Sequence, residues 1–187
     1  MAREKRIEIR KPRALERGDR LCVISPASPS ATDVYLERGL ARLRRAGFDV
    51  VLAPHLGERR LLFGGSAEAR ADDLHRAFTD PDIKGIICVR GGVGCLHLLP
   101  LLDYDLIARN PKAFIGYSDI TVLEAAIFQR SGLITFYGPM VATDFGKALP
   151  RFSEEGFLRL VREKEGEMEL LNPPGEEMVT LVPGRAE

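Results

Sequence analysis

The sequence predicts an α/β fold in which helices cover both faces of a parallel sheet. Short apolar runs alternate with segments whose apolar residues recur at helical spacing. The runs are continuously apolar, as expected for strands that are buried on both faces. The loops that follow several of them are rich in glycine, serine and proline. Because such sheets bind ligands beyond the carboxyl ends of their strands, we expect the functional site at these loops.

Five apolar runs are interpreted as strands, and helices are predicted between them. The runs lie at 20–25, 48–54, 84–90, 113–116 and 133–138. A first helix is predicted to end at Gly47, and a second to begin at Ser66, a favourable N-cap residue. The second helix is predicted to bury one apolar face, made of Ala67, Ala71, Leu74 and Phe78.

Composition and charge exclude some classes of protein for this chain. The 187 residues are enough for one domain of ordinary size, and Lys+Arg and Asp+Glu both total 27. A net charge of zero argues against nucleic acid as the main partner. No apolar run is long enough to span a bilayer, and the basic start lacks a signal-peptide core, so we expect a cytoplasmic protein without a membrane partner. The scattered Cys22, Cys88 and Cys95 indicate neither a disulfide framework nor a zinc site.

A serine lies on a very short connection between the fourth strand and the next helix. Only Gly116 to Asp119 separate the strand from a helical pattern that begins at Ile120. Such a turn lifts Ser118 off the sheet to a helix N-terminus, which favours developing negative charge, as in a nucleophile elbow. The hydrolase pattern Gly-x-Ser-x-Gly is not matched. Ser118 could instead simply cap the helix predicted over 119–131.

A glycine-rich turn follows the third strand, in the segment "VRGGVG" (89–94). Its glycines let the backbone turn tightly and expose N–H groups, so Gly92 is placed to donate a second oxyanion hydrogen bond. A plain turn or a phosphate-binding loop would look similar. The dinucleotide pattern Gly-x-Gly-x-x-Gly is incomplete, which makes a dinucleotide site a weak alternative.

Four motifs in order resemble the LD-carboxypeptidase family, which includes murein tetrapeptide carboxypeptidases and microcin-immunity peptidases. They are "GDRLCVISPASP", "VRGGVG", "FIGYSDIT" and "TFYGPM", and the resemblance covers roughly residues 15 to 187. It implies a flavodoxin-like domain and a serine peptidase that cleaves before a C-terminal D-amino acid in cytosolic murein peptides, as in peptidoglycan recycling. It also implies a homodimeric full-length protein, and neither a metal nor an organic cofactor.

The resemblance assigns roles to individual residues. Ser118 would be the nucleophile, and the backbone N–H groups of Gly92 and Asp119 would form the oxyanion hole. Family members often have an aromatic residue at position 93 and a histidine at position 137, so the substrate preference could differ here. The candidate substrate contacts are Arg90, Gly91, Val93 and Tyr137.

The predicted division is a nucleophile-bearing domain at 1–150 and a helix with two strands at 151–187. By resemblance, the catalytic glutamate and histidine belong to a C-terminal domain after a Gly-Gly-Asn-Leu stretch, which the sequence does not reach. We therefore expect a chain truncated before that domain, with unpartnered apolar surface near Met178 and very poor hydrolysis by this chain alone.

No convincing base for the serine is found within the chain. His55 is predicted in a surface loop and His75 on the solvent side of a helix, whereas His97, just after the glycine turn, is the nearest candidate. Glu124 and Lys112 are predicted to be solvated. Two alternatives stay open: a non-catalytic peptide-binding domain, and a glutamine amidotransferase-like domain, which would need a cysteine such as Cys95 as its nucleophile.

Overall fold

The computed structural model describes residues 7–164 and 171–176. Its centre is a five-stranded sheet in the order β2-β1-β3-β4-β5, and every neighbouring pair is parallel. This is the flavodoxin-like strand order, which confirms the predicted fold class. The strands are β1 Arg20–Ile24, β2 Asp49–Leu52, β3 Ile83–Cys88, β4 Ala113–Gly116 and β5 Phe136–Tyr137.

Within the described residues, five α-helices connect and follow the strands: α1 Asp33–Arg45, α2 Ala67–Thr79, α3 Tyr104–Arg109, α4 Thr121–Ser131 and α5 Arg151–Val161. Two 3-10 turns, Cys95–Leu98 and Ser118–Ile120, follow β3 and β4, and a π-helical turn spans Val141–Phe145. None of the described helices is both long and apolar enough to cross a membrane.

The helices form two layers, one on each face of the sheet. One face packs against α2, α3 and α4, through side chains such as Ile86 and Phe114 of the strands. The opposite face, which includes Val23 and Ile115, packs against α1, the π-helical turn and α5. Because successive strand residues point to opposite faces, both faces need apolar residues, and this requirement produces the continuous runs in the sequence.

Some predicted elements differ in the structure. The fifth strand covers two residues, and Leu133 forms only an isolated bridge with Arg10. The short helix α3 was not predicted. Two strands were predicted beyond residue 166, and of their residues only Leu171 is described; it is not in a strand. The rest of these strands and the surface near Met178 lie outside the described residues and stay predictions. The division at residue 150 also stays a prediction.

Two charged residues that were predicted to be solvated are in fact buried. Lys112 donates from Nζ to the carbonyl of Ala77 at 2.8 Å and to that of Asp80, so it satisfies carbonyls at the end of α2. Burial lowers the pKa of Lys112 to about 8. Glu124 lies on the buried face of α4 with Leu123 and Ile127, and its Oε1 has no hydrogen-bond partner among the described residues. The prediction was wrong because it considered only distance along the helix from Ser118 and not which face meets the sheet.

Candidate active site

Ser118 lies at the junction of β4 and the helical segment that leads into α4. Its φ is 64°, one of two positive φ values at non-glycine residues among those described, and its side chain is exposed. The turn is tight enough that a Cβ on Gly116 would lie 2.6 Å from Ile120 Cγ2. These observations confirm the predicted geometry: a partly exposed serine in a sparsely populated backbone conformation between strand and helix.

The helix-capping interpretation of Ser118 is wrong. Neither the 3-10 turn nor α4 receives a side-chain cap hydrogen bond at its start. Instead, the Ile120 N–H donates to the Tyr117 carbonyl at 3.3 Å, and the Thr121 hydroxyl donates to the Ser118 carbonyl. The Ser118 hydroxyl is therefore not used in forming the helix.

The glycine loop 91–94 packs directly against this serine. A Cβ on Gly91 would lie 2.9 Å from Ser118 Cβ and 3.0 Å from its Oγ. Gly92 and Gly94 have φ values of 122° and 120°, which residues with a side chain rarely adopt. The structure thus brings the loop and Ser118 together, as predicted, whereas the oxyanion role of the Gly92 N–H stays a prediction.

Side chains hold the glycine loop at the residues that follow Gly92. The Val93 N–H donates to Ser28 Oγ at 3.3 Å, and the Cys95 N–H donates to Asp119 Oδ2 at 3.0 Å. From the sequence, Asp119 was predicted to contribute only its backbone N–H. Ser28 lies in a serine-rich loop, but no contact was predicted for it. Asp119 therefore couples the serine turn to the glycine loop through its carboxylate.

The remaining predicted contacts form the border of the site. Tyr137 is 70% exposed, and its ring centroid lies 5.6 Å from that of Tyr117. Tyr117 in turn donates to Asp144 Oδ1 at 3.3 Å, and burial raises the pKa of Tyr117. Val93 is exposed and Arg90 is half-buried. These side chains are available to a ligand, but their role in binding stays a prediction.

No histidine among the described residues forms a hydrogen bond with Ser118. His55 Nδ1 lies 2.8 Å from Asp73 Oδ1, and this hydrogen bond raises the pKa of His55. His75 Nε2 accepts from the Asp103 N–H at 3.0 Å. His97 is exposed and packs edge-on against Phe63, with ring centroids 5.5 Å apart.

His55, Asp72 and Asp73 form a group in which the three potential ligand atoms lie within 4.8 Å of one another. His55 follows β2, at the opposite edge of the sheet from β5. Asp72 is engaged by Arg76 at 2.5 Å, and Asp73 accepts both the His55 N–H and its ring. The group is thus already a connected ion pair and hydrogen-bond network.

The three cysteines are buried and free. Cys95, the possible nucleophile of the amidotransferase alternative, is fully buried, and burial raises its thiol pKa. A thiol that is both inaccessible and protonated is a poor nucleophile, so the geometry disfavours that alternative.

Two buried polar residues of α2, Arg70 and Asp73, were not recognised from the sequence. Each is 3% exposed. Both fall within the stripe that also contains Ala67, Ala71 and Leu74. A charged residue inside an apolar helical stripe was the signal that could have identified them.

Comparisons with known proteins all point to the same protein family. Residues 21–138 match the protein family that is described as the LD-carboxypeptidase N-terminal domain. A probable murein peptide carboxypeptidase of Bacillus subtilis is 38% identical over 179 residues, which are 95% of this chain and 54% of the relative. A murein tetrapeptide carboxypeptidase of Pseudomonas aeruginosa is 48% identical over 128 residues, which are 68% of this chain and 41% of the relative.

A solved structure has the same fold. The microcin C7 self-immunity protein MccF, without ligand, matches with a TM-score of 0.79 and 35% identity, and the match covers 83% of this chain and 48% of MccF. MccF has also been solved in complex with aspartyl sulfamoyl adenosine. The chain spans about half the length of the relatives it matches. It belongs to the LD-carboxypeptidase family and contains the N-terminal domain of that family.

Proposed function

We propose that this chain provides the nucleophile and the oxyanion donors of a serine carboxypeptidase. The observation that carries the proposal is Ser118, exposed at a φ of 64° on a strand-to-helix turn and in contact with the glycine loop. A serine that only capped a helix would have neither this conformation nor a free hydroxyl. The names of the relatives support a carboxypeptidase reaction.

The proposed reaction has two steps. Ser118 Oγ attacks the carbonyl carbon of the bond before the terminal D-amino acid, and its proton passes by way of a base to the leaving amine. The N–H groups of Gly92 and Asp119 donate to the oxyanion, which matters most in the transition state, where the charge is largest. Water then hydrolyses the acyl-enzyme ester and regenerates the serine hydroxyl.

The base is proposed to come from a part of the protein beyond the described residues. A serine at its ordinary pKa needs a base within hydrogen-bond reach, and no histidine among the described residues contacts Ser118. The chain spans about half the length of its relatives, which leaves room for a second domain. The resemblance implies a glutamate and a histidine in that domain.

The proposed substrate is a murein tetrapeptide in the cytoplasm, cleaved by a homodimeric full-length protein. The relatives named murein carboxypeptidases support the peptide class. The MccF complex shows that a related protein binds an aminoacyl nucleotide analogue, so exposed Val93 and Tyr137 are proposed to tune the preference here.

The test is the release of D-alanine from murein tetrapeptide. The 187-residue chain alone should show no release in an ordinary assay, since binding and oxyanion donors alone leave only ~10³–10⁴-fold over water. Supplying the C-terminal half of the full-length protein should restore turnover. Ser118→Ala should abolish turnover, and Ser153→Ala, on the exposed face of α5, should not.

Three results would change the proposal. Ser118-dependent release by the chain alone would place the base within it, with His97 the first residue to substitute. Turnover that survives Ser118→Ala would reject the nucleophile. Binding of the tetrapeptide without turnover in the full-length protein would favour the non-catalytic binding domain. The described histidines, which contact residues other than Ser118, are also consistent with that alternative.

A further inference from the structure

A buried arginine on α2 contacts the loops that surround the candidate site. Arg70 is 3% exposed and has no carboxylate within ion-pair distance among the described residues. Its guanidinium donates instead to three backbone carbonyls, those of Pro26, Ser66 and Gly94. Since burying an arginine without a carboxylate is costly, the contacts that Arg70 makes indicate a specific role.

The three carbonyls belong to loops that follow three different strands. Pro26 lies in the loop after β1, Ser66 in the connection after β2, and Gly94 in the glycine loop after β3. A planar guanidinium with a fixed fork of donors suits such a junction, because it sets directions as well as distances. The ring of Phe63, from the same connection as Ser66, lies 5.3 Å from the Arg70 guanidinium carbon and limits its movement.

The glycine loop depends on such contacts for its conformation. Gly92 and Gly94, both at positive φ, have no side chains that could anchor them, and glycine has the weakest intrinsic backbone preference. Arg70 fixes the Gly94 carbonyl at 3.1 Å, two residues from the proposed donor. Arg70 also fixes Pro26, two residues before Ser28, whose hydroxyl accepts the Val93 N–H at 3.3 Å.

We infer that Arg70 is a positioning residue that holds the glycine loop so that the Gly92 N–H faces the oxyanion formed at Ser118. It touches no reacting atom and acts through the Gly94 and Pro26 carbonyls. This inference rests on the proposed function, and it adds a residue to which neither the four motifs nor the family resemblance gave a role.

The first test measures the loop in the 187-residue chain and needs no activity. Arg70→Met keeps the length of the side chain but removes all donors, and Arg76→Met, at an exposed position of the same helix, is the matched control. Amide hydrogen exchange over residues 91–95 should become at least ~10-fold faster in Arg70→Met and stay unchanged in Arg76→Met, because the loop loses an anchor. Unchanged exchange in Arg70→Met would overturn the inference.

The second test separates positioning from stability, using D-alanine release by the full-length protein. Arg70→Met should lower kcat ~10–100-fold and change KM less than ~3-fold, because the oxyanion contact strengthens in the transition state. Arg70→Lys keeps the charge without the planar fork and should be impaired to an intermediate degree. If Arg70→Met does not fold, Arg70→Lys serves as the test variant.

The outcomes distinguish this inference from the proposed function. Turnover that survives Ser118→Ala would reject both. Turnover that requires Ser118 but has an unchanged kcat in the Arg70 variants, at a temperature where they are folded, would reject the positioning role alone. A rise in KM with kcat unchanged would also reject it, since the residue would then act on substrate binding.

Discussion

The loop regions after β4 and after β2 each contain some of the residue types found in hydrolytic sites. After β4, Ser118 has an exposed hydroxyl and a neighbouring glycine loop but no histidine among its described contacts. After β2, His55 has a buried carboxylate partner, Asp73, but no described serine or cysteine bonded to its ring. With two strands between β2 and β4, the two regions are separated by roughly 14 Å at the usual strand spacing.

The difference teaches that residue chemistry alone does not define a site. His55 and Asp73 have the chemistry of a base and its orienting acid, yet Asp73 accepts both the ring and the backbone N–H of His55, which is how a loop is fixed to a helix. Ser118 has no base bonded to it among the described residues, but it has an unusual backbone conformation. The proposal for Ser118 therefore rests on its positive φ together with its contact with the glycine loop.

The largest expected effect on kcat comes from substituting one residue in each region, Ser118 after β4 and His55 after β2. In the full-length protein, Ser118→Ala should lower kcat for D-alanine release by ~10⁴-fold or more, because no other group can form the acyl-enzyme. His55→Gln should lower it less than ~3-fold, since the His55 ring is bonded to Asp73. A loss in His55→Gln comparable to that in Ser118→Ala would break the comparison.

A pair of glycine substitutions gives a smaller effect. In Gly91→Ala, the new Cβ would lie 2.9 Å from Ser118 Cβ, so the serine must move, and a displacement of about 1 Å can cost ~10²-fold in kcat. Gly57→Ala, in the loop that contains His55, meets no atom within 4 Å and should leave kcat unchanged. Equal activity of the two variants would show that the contact between Gly91 and Ser118 is not required.

The buried carboxylates of the two regions should respond differently to substitution. Desolvation raises the pKa of Glu124, which is buried on α4 and whose Oε1 has no hydrogen-bond partner among the described residues, to about 7. The pKa of Glu124 in the unfolded chain is about 4.5. Between pH 4.5 and pH 7, Glu124 is therefore ionised in the unfolded chain but still protonated in the folded chain. The free energy of unfolding consequently falls as the pH rises through this range. The full shift corresponds to at most ~3 kcal/mol.

Glu124→Gln should therefore raise the free energy of unfolding by about 2 kcal/mol at pH 8 and change it little at pH 4.5. Asp73→Ala should instead destabilise at pH 8, because it removes the acceptor of both His55 hydrogen bonds. Urea unfolding at the two pH values measures this, with Glu37→Gln, exposed on α1, as the control. A gain that is equal at both pH values would exclude titration of Glu124 as the cause.

The smallest effect compares the two strained non-glycine residues. Ser118 has a φ of 64°, and Leu61, in a tight turn after β2, has a φ of 56°. Ser118→Gly and Leu61→Gly should each stabilise by about 0.5–1 kcal/mol, because relief of the strain exceeds the entropy cost of glycine. Only Ser118→Gly should abolish turnover. Thermal unfolding that shows a gain for Leu61→Gly alone would mean that the serine turn carries no strain.

The local features of this protein could be predicted from its sequence. The central strands β1, β3 and β4 are short and largely apolar, and burial on both faces requires that pattern. The turn at Ser118 also followed from local information: four residues between strand and helix cannot form a relaxed loop, and Gly116 permits the close approach of Ile120.

The tertiary structure decided what depends on distant parts of the chain. The order β2-β1-β3-β4-β5 arises from hydrogen bonds between strands far apart in sequence. Burial of Glu124 and Lys112 depends on which helix face meets the sheet and which helix end lies beside β4. Arg70 meets the carbonyls of Pro26 and Gly94, respectively 44 and 24 residues away, only in the folded chain. The spacing of apolar residues predicts which face of a helix or strand is buried, because it depends only on residues close in sequence. It does not predict contacts between distant segments, which form only when the fold packs them together.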